Sequence, residues 1–129
     1  MYKETIDYFS SVADQKAIIL KNSPLAFLIG AMMAGAYAGL GIILIFSAAG
    51  QVPVAFQKLI MGATFGIALT LVVFAGSELF TGHTMYMVLG WLKKKTTLID
   101  LGKVWVVAWI GNLIGSVFTS FDICRGWWR

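Results

Sequence analysis

Leu59–Leu92 reads LIMGATFGIALTLVVFAGSELFTGHTMYMVLGWL, and its only acidic or basic residues are Glu78 and His83. Both fall in one short polar run, Gly76–Met85, GSELFTGHTM. A straight bilayer crossing takes about 20 residues, because ~30 Å of hydrocarbon is covered at ~1.5 Å per residue. The segment is well over that length and well short of two crossings with a loop. A break in the middle resolves the mismatch: two half-helices joined by irregular backbone at membrane depth. Such backbone survives only when buried in protein or lining a wet cavity. Gly76 is placed to close the first half at about Ala75, and Thr81 to cap the second near Gly82. The loop is then roughly Gly76–Thr81. The N-terminus of the second half, the positive end of its dipole, points back toward the membrane interior, an arrangement suited to holding or passing an anion.

The totals agree with a membrane chain. Of 129 residues, 59% are hydrophobic and only 12% charged, and mean hydropathy is +0.82. A soluble domain of this size has no interior large enough to hide that surface. The net charge of +4 comes from lysines too scattered for a nucleic-acid patch. One cysteine, Cys124, makes no internal disulfide. The first twenty residues mix Lys3, Glu4, Asp7, Asp14 and Lys16 without an apolar core, so no cleaved signal is expected there.

Outward from the broken segment, residues 1–21 place Ile6, Phe9, Ala13, Ala17 and Leu20 on one helical stripe. This predicts an amphipathic helix, lying at the membrane surface or packed on other protein. Residues 22–57 carry no charge; Asn22 or Ser23 is placed to cap a helix opened by Pro24 and ended near Ala49 by Gly50 and Pro53. Ala31, Gly35 and Gly39 form a small-residue row for close helix approach. A third crossing is predicted over Val104–Phe121 or from slightly earlier, near Lys103, with Ala108, Gly111 and Gly115 on one face and Asn112 beside them. Lys93, Lys94, Lys95 and Lys103, with Lys3, Lys16 and Lys21, lie on one side of this topology, and Lys58 alone lies on the other. The positive-inside rule then puts the N-terminus in the cytoplasm of a multi-pass inner (plasma) membrane protein.

These residues resemble a known family. NSPLAF, AGAYAGLGIILIF, the run from Leu59 to Met85 and GNLIGSVF, together covering about Asn22–Thr119, are similar to the formate/nitrite transporter family and most of all to its nitrite channel branch. The resemblance implies an all-α membrane fold: an aquaporin-like six-helix protomer of two inverted three-helix repeats, assembled as a homopentamer with one pore per protomer. This chain corresponds to the first repeat, residues 22–121. Position by position, it implies that Phe65 and Leu69 narrow the pore from the first half-helix. By the same reasoning Leu79, Phe80 and Thr81 form a second constriction, Glu78 is the acidic residue of that loop, and Asn112 braces it. Spacing alone puts Phe65 and Leu69 on one face, where packed or lipid-facing residues are far more common than pore-lining ones; only the resemblance assigns them to the pore. Glu78 is read as an internal partner that ties the loop, since a bare carboxylate would repel an anion. His83 is read as a packed or interfacial histidine, and it is not the family's central pore histidine, which belongs to the second repeat.

The second repeat is missing from the sequence, and residues 122–129 end it off pattern with DICRGWWR. A one-base shift turns FDICRGWW into LIFAAGGG with permitted codons, so a frameshifted or mis-sequenced gene is the expectation, and with it a truncated chain. The function implied is transport of a small monovalent anion, nitrite or formate, by a channel-like protein; the alternative is a membrane-inserted remnant that conducts nothing. No nucleophile–base pair or metal-ligand spacing is present, so neither enzyme chemistry, a cofactor nor a metal is expected.

Overall fold

The computed structural model describes residues 2–126. They form α1 (Tyr2–Asn22), α2 (Pro24–Ala49), α3 (Val54–Phe74), α4 (Phe80–Leu92) and α5 (Leu98–Gly126), with no strand among the described residues. Among the described residues, three stretches are long and apolar enough to cross a membrane: Pro24–Ala49, Val54–Phe74 and Leu98–Phe121.

Pro24 opens α2 as expected, but Ser23 makes no side-chain cap bond, and Gly50 closes the helix in the right-handed region (φ −65°). The broken element starts five positions before Leu59, at Val54, because Pro53 (φ −55°, ψ 146°) sets the chain direction immediately before it. Its first piece, α3, therefore has 21 residues. At ~1.5 Å per residue that is a full crossing by length rather than a half-helix. The second piece, α4, has 13.

The break lies at Ala75–Leu79. Gly76 takes φ +63°, its N–H donates to the Val73 carbonyl at 3.1 Å, and the Ser77 N–H donates to the Val72 carbonyl at 3.1 Å. This pair of bonds is the Schellman closure, which needs the left-handed region and so favours glycine. The same closure ends α4 with Lys94 at φ 56°: the Lys94 N–H reaches the Trp91 carbonyl at 2.9 Å and the Lys95 N–H the Gly90 carbonyl at 2.9 Å. The expectation that Thr81 caps α4 is overturned. The cap position is Leu79, without any side-chain bond, and Thr81 lies inside the first turn.

Before α5, Thr97 and Asp100 form a reciprocal capping box: Asp100 Oδ2 accepts from the Thr97 N–H (3.1 Å) and hydroxyl (2.6 Å), while Thr97 Oγ1 accepts from the Asp100 N–H (3.1 Å). That cap explains why α5 starts earlier than Lys103. At its other end α5 runs without interruption past Phe121 to Gly126. Trp127, Trp128 and Arg129 lie outside the described residues.

The α2–α5 pair is the closest helix contact. A Cβ at Gly35 would overlap the Asn112 carbonyl, and one at Gly115 the Met32 carbonyl. The two small-residue rows thus bring backbones into contact, as membrane helices do where no hydrophobic drive exists between them. α3 packs on α2 through Ala68 against Gly41. α1 lays its stripe on α4: Ala13 is fully buried and the Phe9 ring stacks on Tyr86 at 5.3 Å. The apolar stripe of α1 is thus packed on protein. Ala13, Phe27, Met87, Val104 and Ala108, from α1, α2, α4 and α5, make the core. Lys93 Nζ donates to Asp7 Oδ1 at 2.8 Å, clasping α1 to the turn after α4. Lys93 holds the Asp7 carboxyl below the usual carboxylate range through this bond and its charge.

Candidate functional site

The break leaves backbone groups without helical partners, and α2 and α5 supply replacements. The Glu78 N–H donates to the Gly30 carbonyl of α2 at 3.2 Å. Asn112, on α5, does the most. Its Nδ2 donates to the carbonyls of Ala31 (2.9 Å) and Glu78 (2.9 Å), and its Oδ1 accepts the Phe80 N–H at 3.0 Å. One amide therefore joins α2, the loop and the first residue of α4. It performs the capping that no residue beside α4 performs.

Glu78 is 8% exposed. A carboxylate at membrane depth carries a heavy desolvation cost unless paired. Lys16 Nζ, from α1, donates to Glu78 Oε1 at 2.6 Å. His83 Nε2 sits 3.1 Å from Glu78 Oε2, but the two atoms are not aligned for a hydrogen bond. Among the described residues His83 Nδ1 has no hydrogen-bond partner either, although the residue is only 2% exposed. The ring is wedged beside Phe27 (5.5 Å) and Tyr86 (6.3 Å), and the His83 carbonyl accepts from the Trp105 indole N–H at 3.3 Å.

On the other side of the loop, Leu79 and Phe80 are half-buried and Thr81 is exposed. Phe80 meets the Trp105 ring edge-on at 6.3 Å. Among the described residues, neither the Thr81 hydroxyl nor the N–H groups of Leu79 and Thr81 donate to any protein acceptor. These free donors stand at the positive end of α4. Phe65 and Leu69 on α3 are 50% and 45% exposed, and α3 shares no extended packing face with α4. The structure thus brings Glu78, Asn112, Phe80 and Thr81 to one place and leaves Phe65 and Leu69 apart from them. Among the described residues no group of His, Cys, Asp and Glu is arranged to hold a metal.

Sequence reasoning missed Lys16 and Trp105, and did not connect His83 with Glu78. Lys16 left a signal, because it sits on the edge of the apolar stripe of α1, beside Phe9 and Leu20, where a charge needs a reason. Trp105 left none.

Comparison with known proteins agrees with this geometry. The sequence model described as "Formate/nitrite transporter" matches residues 3–126. "Nitrite transporter NirC" of Salmonella typhimurium is 49% identical over 123 residues, which is 93% of this chain and 45% of the relative. The "Probable formate transporter" of Methanothermobacter thermautotrophicus is 40% identical over 125 residues, 92% of this chain and 44% of its own length. A solved "FNT family ion channel" superposes with a TM-score of 0.92 at 45% identity, over 96% of this chain and 50% of that one. The chain spans about half the length of the curated relatives it matches. It belongs to the formate/nitrite transporter family.

Proposed function

We propose that the chain forms one wall of a path for a small monovalent anion, nitrite or formate, in which Leu79, Phe80 and Thr81 make a constriction and Phe65 and Leu69 a second one. The observation that carries this is the free donor set at the α4 N-terminus. Thr81 offers a hydroxyl and an amide in a segment whose own carboxylate is tied back to Lys16. A neutral donor replaces part of an anion's hydration shell without trapping it, and the helix dipole behind it adds positive potential. The relatives named for nitrite and formate transport support the substrate class.

The orientation follows the lysines. α1 and the Lys93–Lys95 turn are clasped through Asp7, so they share one side of the membrane, and we place that side in the cytoplasm of the inner membrane. The small-residue rows and the family suit a homopentamer. A second reading, that the chain alone inserts without conducting, is favoured by Phe65 and Leu69, which face outward with no wall opposite.

The test is nitrite and formate flux into liposomes carrying either this chain or a chimera that appends the remaining half of the Salmonella relative. The expected result is flux from the chimera alone. In the chimera, Phe80→Ala relaxes selection by size, and Thr81→Val lowers flux several-fold with assembly unchanged. Variants that both match the parent would reduce the loop to a structural break.

A further inference from the structure

A second polar feature lies away from the broken helix, where α1 meets the starts of α2 and α5. A cavity of about 440 Å³ is lined by Ala17, Leu20, Lys21, Pro24, Asp100, Lys103, Val104 and Val107. Its position is set by the topology. Pro24 is the first residue of one membrane-crossing stretch and Leu98–Lys103 the first turns of another, so the cavity sits at a membrane boundary. Its wall toward the apolar interior is Leu20, Val104 and Val107, and its charged groups are two lysines against one aspartate.

The aspartate is already committed. Asp100 Oδ2 takes both donors of Thr97 in the α5 capping box. Lys21 and Lys103 act on the Asp100 charge only at longer range: the ion pairs among the described residues use Lys16, Lys93 and His83, and neither Lys21 nor Lys103. Both are exposed. Pro24 brings the N-terminal end of α2 to the same place, a 26-residue helix whose N-cap Ser23 makes no side-chain bond. Two exposed ammonium groups against one carboxylate, together with the positive end of the α2 dipole, therefore converge on a cavity with an aliphatic wall.

We infer that this cavity is a binding site for an anionic phospholipid, with Lys21 and Lys103 taking the phosphate and Leu20, Val104 and Val107 the glycerol and first acyl carbons. A basic pocket between membrane helices on the lysine-rich side recognises lipid head groups by this combination. A free inorganic anion has no use for the aliphatic wall, and a lipid has use for both parts. The inference goes beyond the anion path, from which it is separate in place and in readout.

The experiment is native mass spectrometry of the chain extracted from nanodiscs holding phosphatidylglycerol and phosphatidylcholine in equal amounts. Parallel samples carry Lys21→Gln/Lys103→Gln, and Lys58→Gln as a control at the opposite membrane boundary. The expected result is retention of phosphatidylglycerol over phosphatidylcholine by the parent and by Lys58→Gln. The double variant should lose that preference, by about fivefold for each lysine. Because both lysines are exposed, the variants should keep the fold, and unchanged helical circular dichroism checks that. A parent without preference, or a double variant that keeps it, overturns the inference. So does loss of the bound lipid on adding millimolar inorganic phosphate, which would assign the site to a soluble anion. Lys21→Arg/Lys103→Arg keeps both cations and should keep the preference; its loss would overturn recognition of the phosphate by charge at these two positions.

Discussion

Replacing Asn112 tests how the broken helix is held. The side chain makes three hydrogen bonds, to the carbonyls of Ala31 and Glu78 and from the Phe80 N–H. The Ala31 carbonyl lies inside α2 and keeps the intrahelical partner that any mid-helix carbonyl has. The Glu78 carbonyl and the Phe80 N–H lie at the break, and no other protein group reaches them among the described residues. Asn112→Leu, close to isosteric, therefore orphans two backbone groups. At roughly 1–3 kcal/mol for each buried unsatisfied group, the expected loss is about 2–6 kcal/mol. Asn112→Asp separates the bonds: it keeps an acceptor for Phe80 but turns two donors into an oxygen facing two carbonyls, so it should cost at least as much as Leu. The assay is reversible unfolding in bicelles together with limited proteolysis. The Leu and Asp variants should unfold earlier and be cut first at Ala75–Leu79. A Leu variant within about 0.5 kcal/mol of the parent, with an equally resistant loop, would refute the bracing role; that margin is the usual effect of a substitution touching nothing.

Four further outcomes follow from particular contacts. Lys16→Met leaves Glu78 buried without its cation and should cost about 1–3 kcal/mol, less than for a fully buried pair because the lysine side chain is 22% exposed; Lys16→Met/Glu78→Gln should recover part of the loss, as a double-mutant cycle of unfolding energies would record. Gly115→Ala, whose Cβ would overlap the Met32 carbonyl, should lose about 1–3 kcal/mol of stability, whereas Gly62→Ala, in open space, should gain up to about 1 kcal/mol from helix propensity. Lys94→Gly relieves a left-handed lysine and should raise the thermal midpoint in detergent by the equivalent of about 1 kcal/mol. The Asp7–Lys93 clasp contributes fully above the unfolded aspartate value of about 3.9 and is lost as pH falls through the lowered folded value, so hydrogen-exchange protection of α1 should match at pH 7 and 5 and drop near pH 3, a step that Asp7→Asn removes.

The parts of the fold legible in the sequence were those written in local chemistry. Gly76 marked the end of α3 because a Schellman closure needs a left-handed residue, and glycine advertises it. The closure of α4 was invisible for the complementary reason: Lys94 adopts the same conformation without advertising it. The small-residue rows of α2 and α5 named their own contact. Thr81 misled, since a threonine near a helix start reads as a cap. The real donor to that end of α4 is satisfied by Asn112, 32 residues away, and nothing in a local window records such a partner. The Thr97–Asp100 box was readable as a T-x-x-D pattern and would have set the start of α5. The pairing of Lys16 with Glu78 spans 62 residues, and only the placement of a charge on an apolar stripe hinted at it.

The polar residues of the broken segment divide by what they face. Glu78 turns inward to Lys16 and toward His83, so the one carboxylate of the loop is matched by a cation from α1. The Glu78 backbone is held by Gly30 and Asn112. Thr81 is left outward with its hydroxyl and amide free. Had the loop carried a neutral residue in place of Glu78, Lys16 would itself be a partly buried cation without a partner. Had Lys16 been absent, the carboxylate would repel anions from the neighbouring donors. Pairing the two removes both charges from the electrostatic balance of the loop and leaves the dipole of α4 and the donors of Thr81 to set the local potential. A glutamate within an otherwise apolar segment is compatible with an anion path on that condition, and the condition is met by a lysine that the membrane-crossing helices do not themselves contain.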